Sequence, residues 1–287
     1  MIKQITVIGV GLMGTQIAIA AVNHGYKVIC YDVNFESLKR AKSYCNSWYQ
    51  KQCLYGPLPI EEFLQRKQNL SFSDNLESSI KDSDLIIEAV SDTLSAKKDV
   101  LRKIDNHIPT HCIIASNSSY IVSSLFCNVV KDPSKVINMH FFNPVLKMDV
   151  VEVVKGPHVS DETFNTILHF VRSINKTPII VEQEIYGSIV NRIFRAITRE
   201  ACYLTDIGIA SPQEIDKAVK GALGHPMGPF ETLDLTGIDL EYQVYMENFK
   251  STGNVEDLPA SCISFLYEKG WYGHKSGKGF YDYNQKE

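Results

Sequence analysis

Two side chains able to move a proton stand in a short apolar stretch of the 287-residue chain. Glu152 is a lone carboxylate among four valines, Val150-Val151-Glu152-Val153-Val154, and His140 precedes it by twelve positions. Leaving a carboxylate unpartnered in an apolar strand costs on the order of several kcal/mol, so Glu152 needs either a partner or an exposed edge. His140 is the natural partner. If Glu152 holds one ring nitrogen protonated, the other is free to take a proton from a substrate hydroxyl, and the carboxylate stabilises the imidazolium that forms. Taken singly, such a histidine is more often a satisfied core residue and such a glutamate more often an edge residue. The pair is what points to acid–base chemistry.

A second constellation is the glycine turn Gly9-Val10-Gly11-Leu12-Met13-Gly14. Glycines are common in turns, so the context decides. The motif follows an apolar strand and opens an amphipathic helix (Ile17, Ala18, Ala21, Val22) ending near Gly25; a second strand, Val28–Tyr31, then leads to Asp32. That is the context of a dinucleotide fingerprint. Gly9 suits the tight turn, Gly11 the approach of backbone to a pyrophosphate, and Gly14 the packing of helix on strand. With Leu12 and Met13 they leave the helix N-terminal amides facing phosphate. Asp32, 21 positions after Gly11, is placed for the adenosine ribose hydroxyls. Its charge repels a 2′-phosphate, so NAD is expected over NADP. The alternative is a glycine-rich turn in another α/β protein.

The elements that must position these residues are written differently in the two halves. Ile5–Ile8, Val28–Tyr31, Leu85–Ala89, Ile113–Ala115 and Val136–Asn138 read as buried strands separated by amphipathic segments, with further strands at 150–154 and 178–182. Strand–helix alternation implies a parallel sheet covered on both faces. From Ser188 to Thr205 and from Gln213 to Lys220 apolar residues recur at helical spacing instead, and Ser211-Pro212 ahead of Gln213-Glu214 is a helix start. The expectation is a Rossmann-type doubly wound sheet over residues 1–183 followed by an all-α domain over 184–287. Hydrophobic residues at 44%, charged residues at 22% and a net charge of −4 give no basic footprint for nucleic acid or an anionic membrane. No apolar run has the length of a signal peptide or a bilayer span. Seven cysteines without a Cys-x-x-Cys pair fit reduced thiols in a cytoplasmic protein and no metal centre.

The segment from Ala115 to Gly156 narrows the function. It holds Ala115-Ser116-Asn117-Ser118-Ser119, Asn138-Met139-His140-Phe141-Phe142-Asn143-Pro144 and the Glu152 strand. Together with Gly9–Ala18, Glu88-Ala89-Val90, Val190-Asn191-Arg192, His225–Phe230 and Lys275–Tyr281, these motifs resemble the L-3-hydroxyacyl-CoA dehydrogenase family, particularly its single-function bacterial 3-hydroxybutyryl-CoA type, nearly end to end. The resemblance implies that His140 and Glu152 carry the proton transfer. It implies that Ser119 bonds the substrate oxygen, and that Asn143 and Asn191 lie near the thioester carbonyl and the second-domain wall. Glu88, Asp92, Lys97 and Asn117 fall in the stretches expected to contact the cofactor, Asp92 and Lys97 at its nicotinamide half. It further implies an acyl thioester substrate and a homodimer formed through the helical half.

Three departures qualify the resemblance. Tyr120 follows Ser119 where the family usually has a small hydroxyl residue. Tyr186-Gly187-Ser188 replaces a Pro-Gly-Phe element. Residues 43–58 hold one lysine, Lys51, and four aromatics (Tyr44, Trp48, Tyr49, Tyr55) where the family has a lysine cluster near the CoA nucleotide. CoA phosphates favour basic partners, whereas aromatics are enriched at protein interfaces. The substrate is therefore expected to be a CoA thioester, with an acyl-carrier-protein thioester as the alternative. Two further alternatives are a non-catalytic NADH-binding protein and a dehydrogenase of non-thioester alcohols. His24, His107, His111, His158, His169 and His274 are assigned no chemistry, and His225 an organising role in the second half.

Overall fold

The computed structural model describes residues 2–56 and 59–284; Pro57 and Leu58, the end of the 43–58 stretch, and residues 285–287 lie outside the described residues. The chain divides into two compact units, Met1–Ile189 and Val190–Glu287.

The first unit is built on strands β1 (Gln4–Ile8), β2 (Lys27–Tyr31), β3 (Leu70–Ser73), β4 (Leu85–Glu88), β5 (Ile113–Ser116), β6 (Val136–Phe141), β7 (Val150–Val154) and β8 (Thr177–Val181), ordered β3-β2-β1-β4-β5-β6-β7-β8 in one sheet. Helices α1 (Leu12–Asn23), α2 (Phe35–Tyr55), α3 (Ile60–Gln68), α4 (Leu76–Ile80), α5 (Leu94–Ile104) and α6 (Asp161–Ser173) connect them. Side chains alternate across a strand, so a continuous apolar run supplies two cores. Leu85 and Ile87 enter a layer with Ile17 of α1 and Ile167 of α6, while Ile86 enters another with Leu101 of α5. β1 pairs with β2 on one side and β4 on the other. The order of winding reverses there, which opens a crevice beyond the carboxyl ends of those strands, the usual ligand position in this architecture.

Two features differ from the sequence expectation. Strand β3 has no counterpart among the expected strands: Leu-Ser-Phe-Ser is four residues long and only partly buried at the sheet edge, so it lacks an apolar run. The sheet is also not wholly parallel, because β7 runs antiparallel to β6 and β8 follows β7. The physical reason is length. Residues 142–149 are too few for a crossover helix, which needs about a dozen.

The second unit consists of α7 (Val190–Asp206), α8 (Pro212–Leu223), α9 (Pro229–Thr236), α10 (Ile238–Thr252) and α11 (Ser261–Glu268). Its own core gathers Cys202, Phe230, Leu233, Ile238 and Ile263. Ser211 accepts a bond from Glu214 N–H and Pro212 opens α8, as the sequence indicates. Beyond α11 come isolated bridges, Gly273 with Lys278 and Lys278 with Asp282. The architecture is the expected one, a Rossmann-type sheet followed by an all-helical unit. No described helix is long and apolar enough to cross a membrane.

Candidate active site

The glycine turn joins β1 to α1. Gly9 has φ +91°, and a β-carbon there would sit 2.6 Å from the Ala89 carbonyl oxygen. A β-carbon on Gly14 would fall 2.0 Å from the Gly9 oxygen, so only glycine lets α1 lie this close to the turn. At Gly11 the space is open to 4 Å. Gly11 caps α1 without a side-chain bond, and the first turn, which includes Leu12 and Met13, carries no acid. Free amides at a helix N-terminus with no competing carboxylate suit an anion. Asp32 stands just beyond β2 and is held open toward this turn, Oδ2 accepting from Val10 N–H at 3.0 Å and Oδ1 from Asn34 N–H at 2.9 Å. The residues present therefore fit a dinucleotide with an unphosphorylated ribose.

Beside the turn lies a buried charge network. Glu88, the last residue of β4, and Lys97 of α5 are both fully buried, with Nζ 3.0 and 3.2 Å from the two carboxylate oxygens. Ser116, at the end of β5, donates to Glu88 Oε2 at 2.5 Å, and Val90 N–H donates to Oε1 at 2.9 Å. Lys97 also lies 3.3 Å from Asp92 Oδ1. Asp92 in turn accepts from Ser118 Oγ at 2.6 Å and from Ser119 N–H at 3.2 Å. The structure thus gathers Glu88, Asp92 and Lys97, singled out from the sequence, and adds Ser116 and Ser118, which sequence reasoning left unassigned. Their signal was available in retrospect: hydroxyls recurring at the carboxyl end of a buried strand in Ala-Ser-Asn-Ser-Ser. Asn117 Oδ1 accepts from Phe141 N–H at 2.9 Å and ties β5 to the end of β6.

β6 extends three residues past the expected Val136–Asn138. β5 pairs with residues 136–138 only, and the remainder is held by β7. In that pairing His140 is directly opposite Glu152, so the two side chains share one face of the sheet. Nδ1 of His140 lies 2.8 Å from Glu152 Oε2. The second carboxylate oxygen, Oε1, accepts from Ile189 N–H at 2.9 Å. Glu152 is 0% and His140 4% exposed. An ionised Glu152 makes Nδ1 the donor, which leaves Nε2 as the basic nitrogen. Ser119 is half-buried on the turn after β5, and Asn143 is exposed on the turn after β6. Asn191 is the second residue of α7 and belongs to the second unit.

Residues 43–55 of the aromatic stretch are part of one helix, α2, and its rings divide. Tyr49 is 1% exposed within the core and Trp48 packs edge-on against it at 4.9 Å. Tyr55 is 87% exposed, and Leu54 and Lys51 also face outward. The lysines of the C-terminal motif have partners: Lys275 pairs with Asp239, and Lys278 lies 4.1 Å over the Trp271 ring. Phe280 and Tyr281 pack on the helical core.

Comparison with known proteins accounts for both halves. The 3-hydroxyacyl-CoA dehydrogenase NAD-binding domain matches residues 4–185, and the C-terminal domain of 3-hydroxyacyl-CoA dehydrogenase matches residues 187–283. The probable 3-hydroxybutyryl-CoA dehydrogenase of Bacillus subtilis (strain 168) is 33% identical over 285 residues, 99% of each chain. The mitochondrial hydroxyacyl-coenzyme A dehydrogenase of Rattus norvegicus is 32% identical over 290 residues, 99% of this chain and 92% of the relative. Among solved structures, the 3-hydroxybutyryl-CoA dehydrogenase of Escherichia coli K12 superposes with a TM-score of 0.93 at 31% identity, covering all of this chain and 61% of that longer one. A nucleotide turn with glycine required at positions 9 and 14 and a matched pair of domains in the same order leave one assignment: the chain belongs to the 3-hydroxyacyl-CoA dehydrogenase family, as an NAD-dependent oxidoreductase.

Proposed function

We propose that this protein interconverts a short 3-hydroxyacyl-CoA and its 3-oxoacyl form, with His140 and Glu152 as the acid–base pair. The observation that carries this is the 2.8 Å contact between His140 Nδ1 and a fully buried carboxylate. Glu152 fixes the tautomer and balances the charge of the imidazolium, so Nε2 accepts the proton of the C3 hydroxyl in oxidation and returns it in reduction. Bound NAD supplies the hydride acceptor. Gly9, Gly11, Leu12, Met13 and Gly14 hold its pyrophosphate, and Asp32 holds the adenosine ribose. Glu88, Asp92, Lys97 and Asn117 shape the floor at its nicotinamide end. Ser119 and Asn143 hold the C3 oxygen and the thioester carbonyl, and Asn191 is assigned to substrate binding as well.

The test is NADH oxidation with acetoacetyl-CoA, run beside the same acyl group on a carrier protein. Turnover with the CoA ester supports the reading. NADH binding without turnover on either thioester would mean a binding protein and end it. One observation favours the carrier-bound substrate as a second reading: Leu54, Tyr55, Ile60 and Leu64 leave an apolar surface exposed at the end of α2 and on α3. Turnover confined to the carrier-bound ester would make that the substrate. A homodimer through the helical unit is part of the proposal, supported by exposed Ile193 and Tyr203 on α7, and light scattering measures it.

A further inference from the structure

Two departures from the family pattern, far apart in the sequence, meet in space. The ring of Tyr120 lies 5.1 Å from that of Tyr186, tilted by 38°. Each ring is tied to the proposed chemistry from its own side. Tyr120 follows Ser119, about 3.8 Å away along the backbone. The amides on either side of it are pinned, Ser119 N–H by Asp92 Oδ2 at 3.2 Å and Ile121 N–H by Ser118 Oγ at 2.9 Å. Tyr186 opens a tight loop. Gly187 and Ser188 adopt φ +78° and +50°, Ser188 N–H bonds the Ile185 carbonyl at 3.1 Å, and Ile189 N–H bonds Glu152 Oε1 at 2.9 Å. The loop that secures the dyad carboxylate is therefore the loop that carries Tyr186. Three residues span at most about 10 Å, so the backbone of Tyr186 stays within that distance of the amide that holds Glu152.

We propose that Tyr120 and Tyr186 form the wall against which the acyl end of the substrate stops, and that they restrict the enzyme to short acyl groups. This rests on the thioester reading above. With Ser119 assigned to the C3 oxygen, the adjoining Tyr120 is assigned to the C4 side of that oxygen, and the ring of Tyr186 in contact with it extends the same wall. Each ring packs on the other, so moving either one aside gives up their mutual contact. A four-carbon acyl group ends before the rings. A longer aliphatic tail has to separate them, losing their mutual contact in the process.

The experiment compares kcat/KM for acetoacetyl-CoA, 3-oxohexanoyl-CoA and 3-oxooctanoyl-CoA, each also offered on a carrier protein, in the wild-type enzyme and in Tyr120→Thr, Tyr186→Ala and Tyr120→Phe. Wild-type enzyme is expected to favour the four-carbon ester. Tyr120→Thr and Tyr186→Ala each raise the eight-carbon to four-carbon ratio by roughly tenfold or more, the scale at which pocket methylenes discriminate. Tyr120→Phe keeps the ring and leaves the ratio near that of wild type. Because two variants on separate segments report the same ratio, loss of fold in one leaves the other decisive. A ratio unchanged in the folded variants, or a wild-type enzyme that already takes the eight-carbon ester as well as the four-carbon one, overturns the wall while leaving the thioester reading intact. Wild-type enzyme with no turnover on any of these thioesters overturns the thioester reading and the wall with it.

Discussion

Buried carboxylates occur in both units, and they are used differently. In the helical unit Asp216 accepts from the Phe230 and Glu231 amides at 2.9 Å each and from the Tyr281 hydroxyl at 2.8 Å. Asp234 accepts from the Phe280 and Tyr281 amides at 3.0 Å each and from the Tyr283 hydroxyl at 2.9 Å. Both carboxylates clamp rigid backbone: the start of α9 in one case, the C-terminal turn in the other. In the sheet unit Glu152 spends one oxygen on a backbone amide and the other on a ring that has a second nitrogen still to use. Burial alone therefore says little about chemistry. What separates Glu152 from the other two is its partner: an imidazole, which under the proposed reading carries the proton on its second nitrogen, in place of a phenol and backbone amides.

The comparison can be broken most directly at His140. His140→Gln is expected to lower kcat by roughly 10²–10⁴-fold while NADH affinity and melting temperature change little. Steady-state rates beside an NADH fluorescence titration measure it, and turnover within a few-fold of wild type would remove the relay. The opposite pattern is expected at Asp216. Asp216→Ala orphans two amides and a phenol, so urea unfolding should show a loss of about 3 kcal/mol, with the kcat of the folded enzyme nearly unchanged. A kcat collapse there at constant stability would erase the distinction between clamp and relay.

Asp32 tests a third use of a carboxylate, the repulsion of a ligand charge. Asp32→Asn is expected to shift the NADP to NAD preference in kcat/KM by roughly tenfold, or about 1.4 kcal/mol. An unmoved ratio would mean that this carboxylate does not face the ribose.

The smallest effect concerns Asp234, where burial raises the carboxyl above its usual range despite the amides and the Tyr283 hydroxyl that favour the charged form. Folded protein then binds this proton more tightly than unfolded chain. The site's contribution to stability is complete below the unfolded carboxyl pKa and is lost as pH rises through the folded value. The stability gap between wild type and Asp234→Asn should accordingly widen in favour of wild type as pH is lowered toward 4, read from melting temperatures across a pH series. A gap that narrows instead would mean that the charged clamp dominates.

How much of this was legible in the sequence follows from which interactions are local. The glycine turn, β1, β2, β4 and β5 could be read because apolar runs and turn residues act over a few positions. β3 could not, because its four residues alternate with serine and depend on pairing to β2. Glu88 and Lys97 stood in the right stretch, but their pairing needed the β4–α5 connection to bring position 97 back over position 88. The aromatics of α2 could be counted but not sorted, since whether Tyr49 or Tyr55 faces the core depends on where the helix lies.

By itself the sequence determined the order of the elements other than β3, the need for glycine at the nucleotide turn, and the requirement that Glu152 find a partner. His140 was the partner the sequence offered, and only the tertiary structure makes the contact. That contact exists because β7 returns antiparallel in a register that sets position 152 against position 140. A slip of one residue would turn the carboxylate to the other face, and register is a property of two strands together, which neither segment encodes alone.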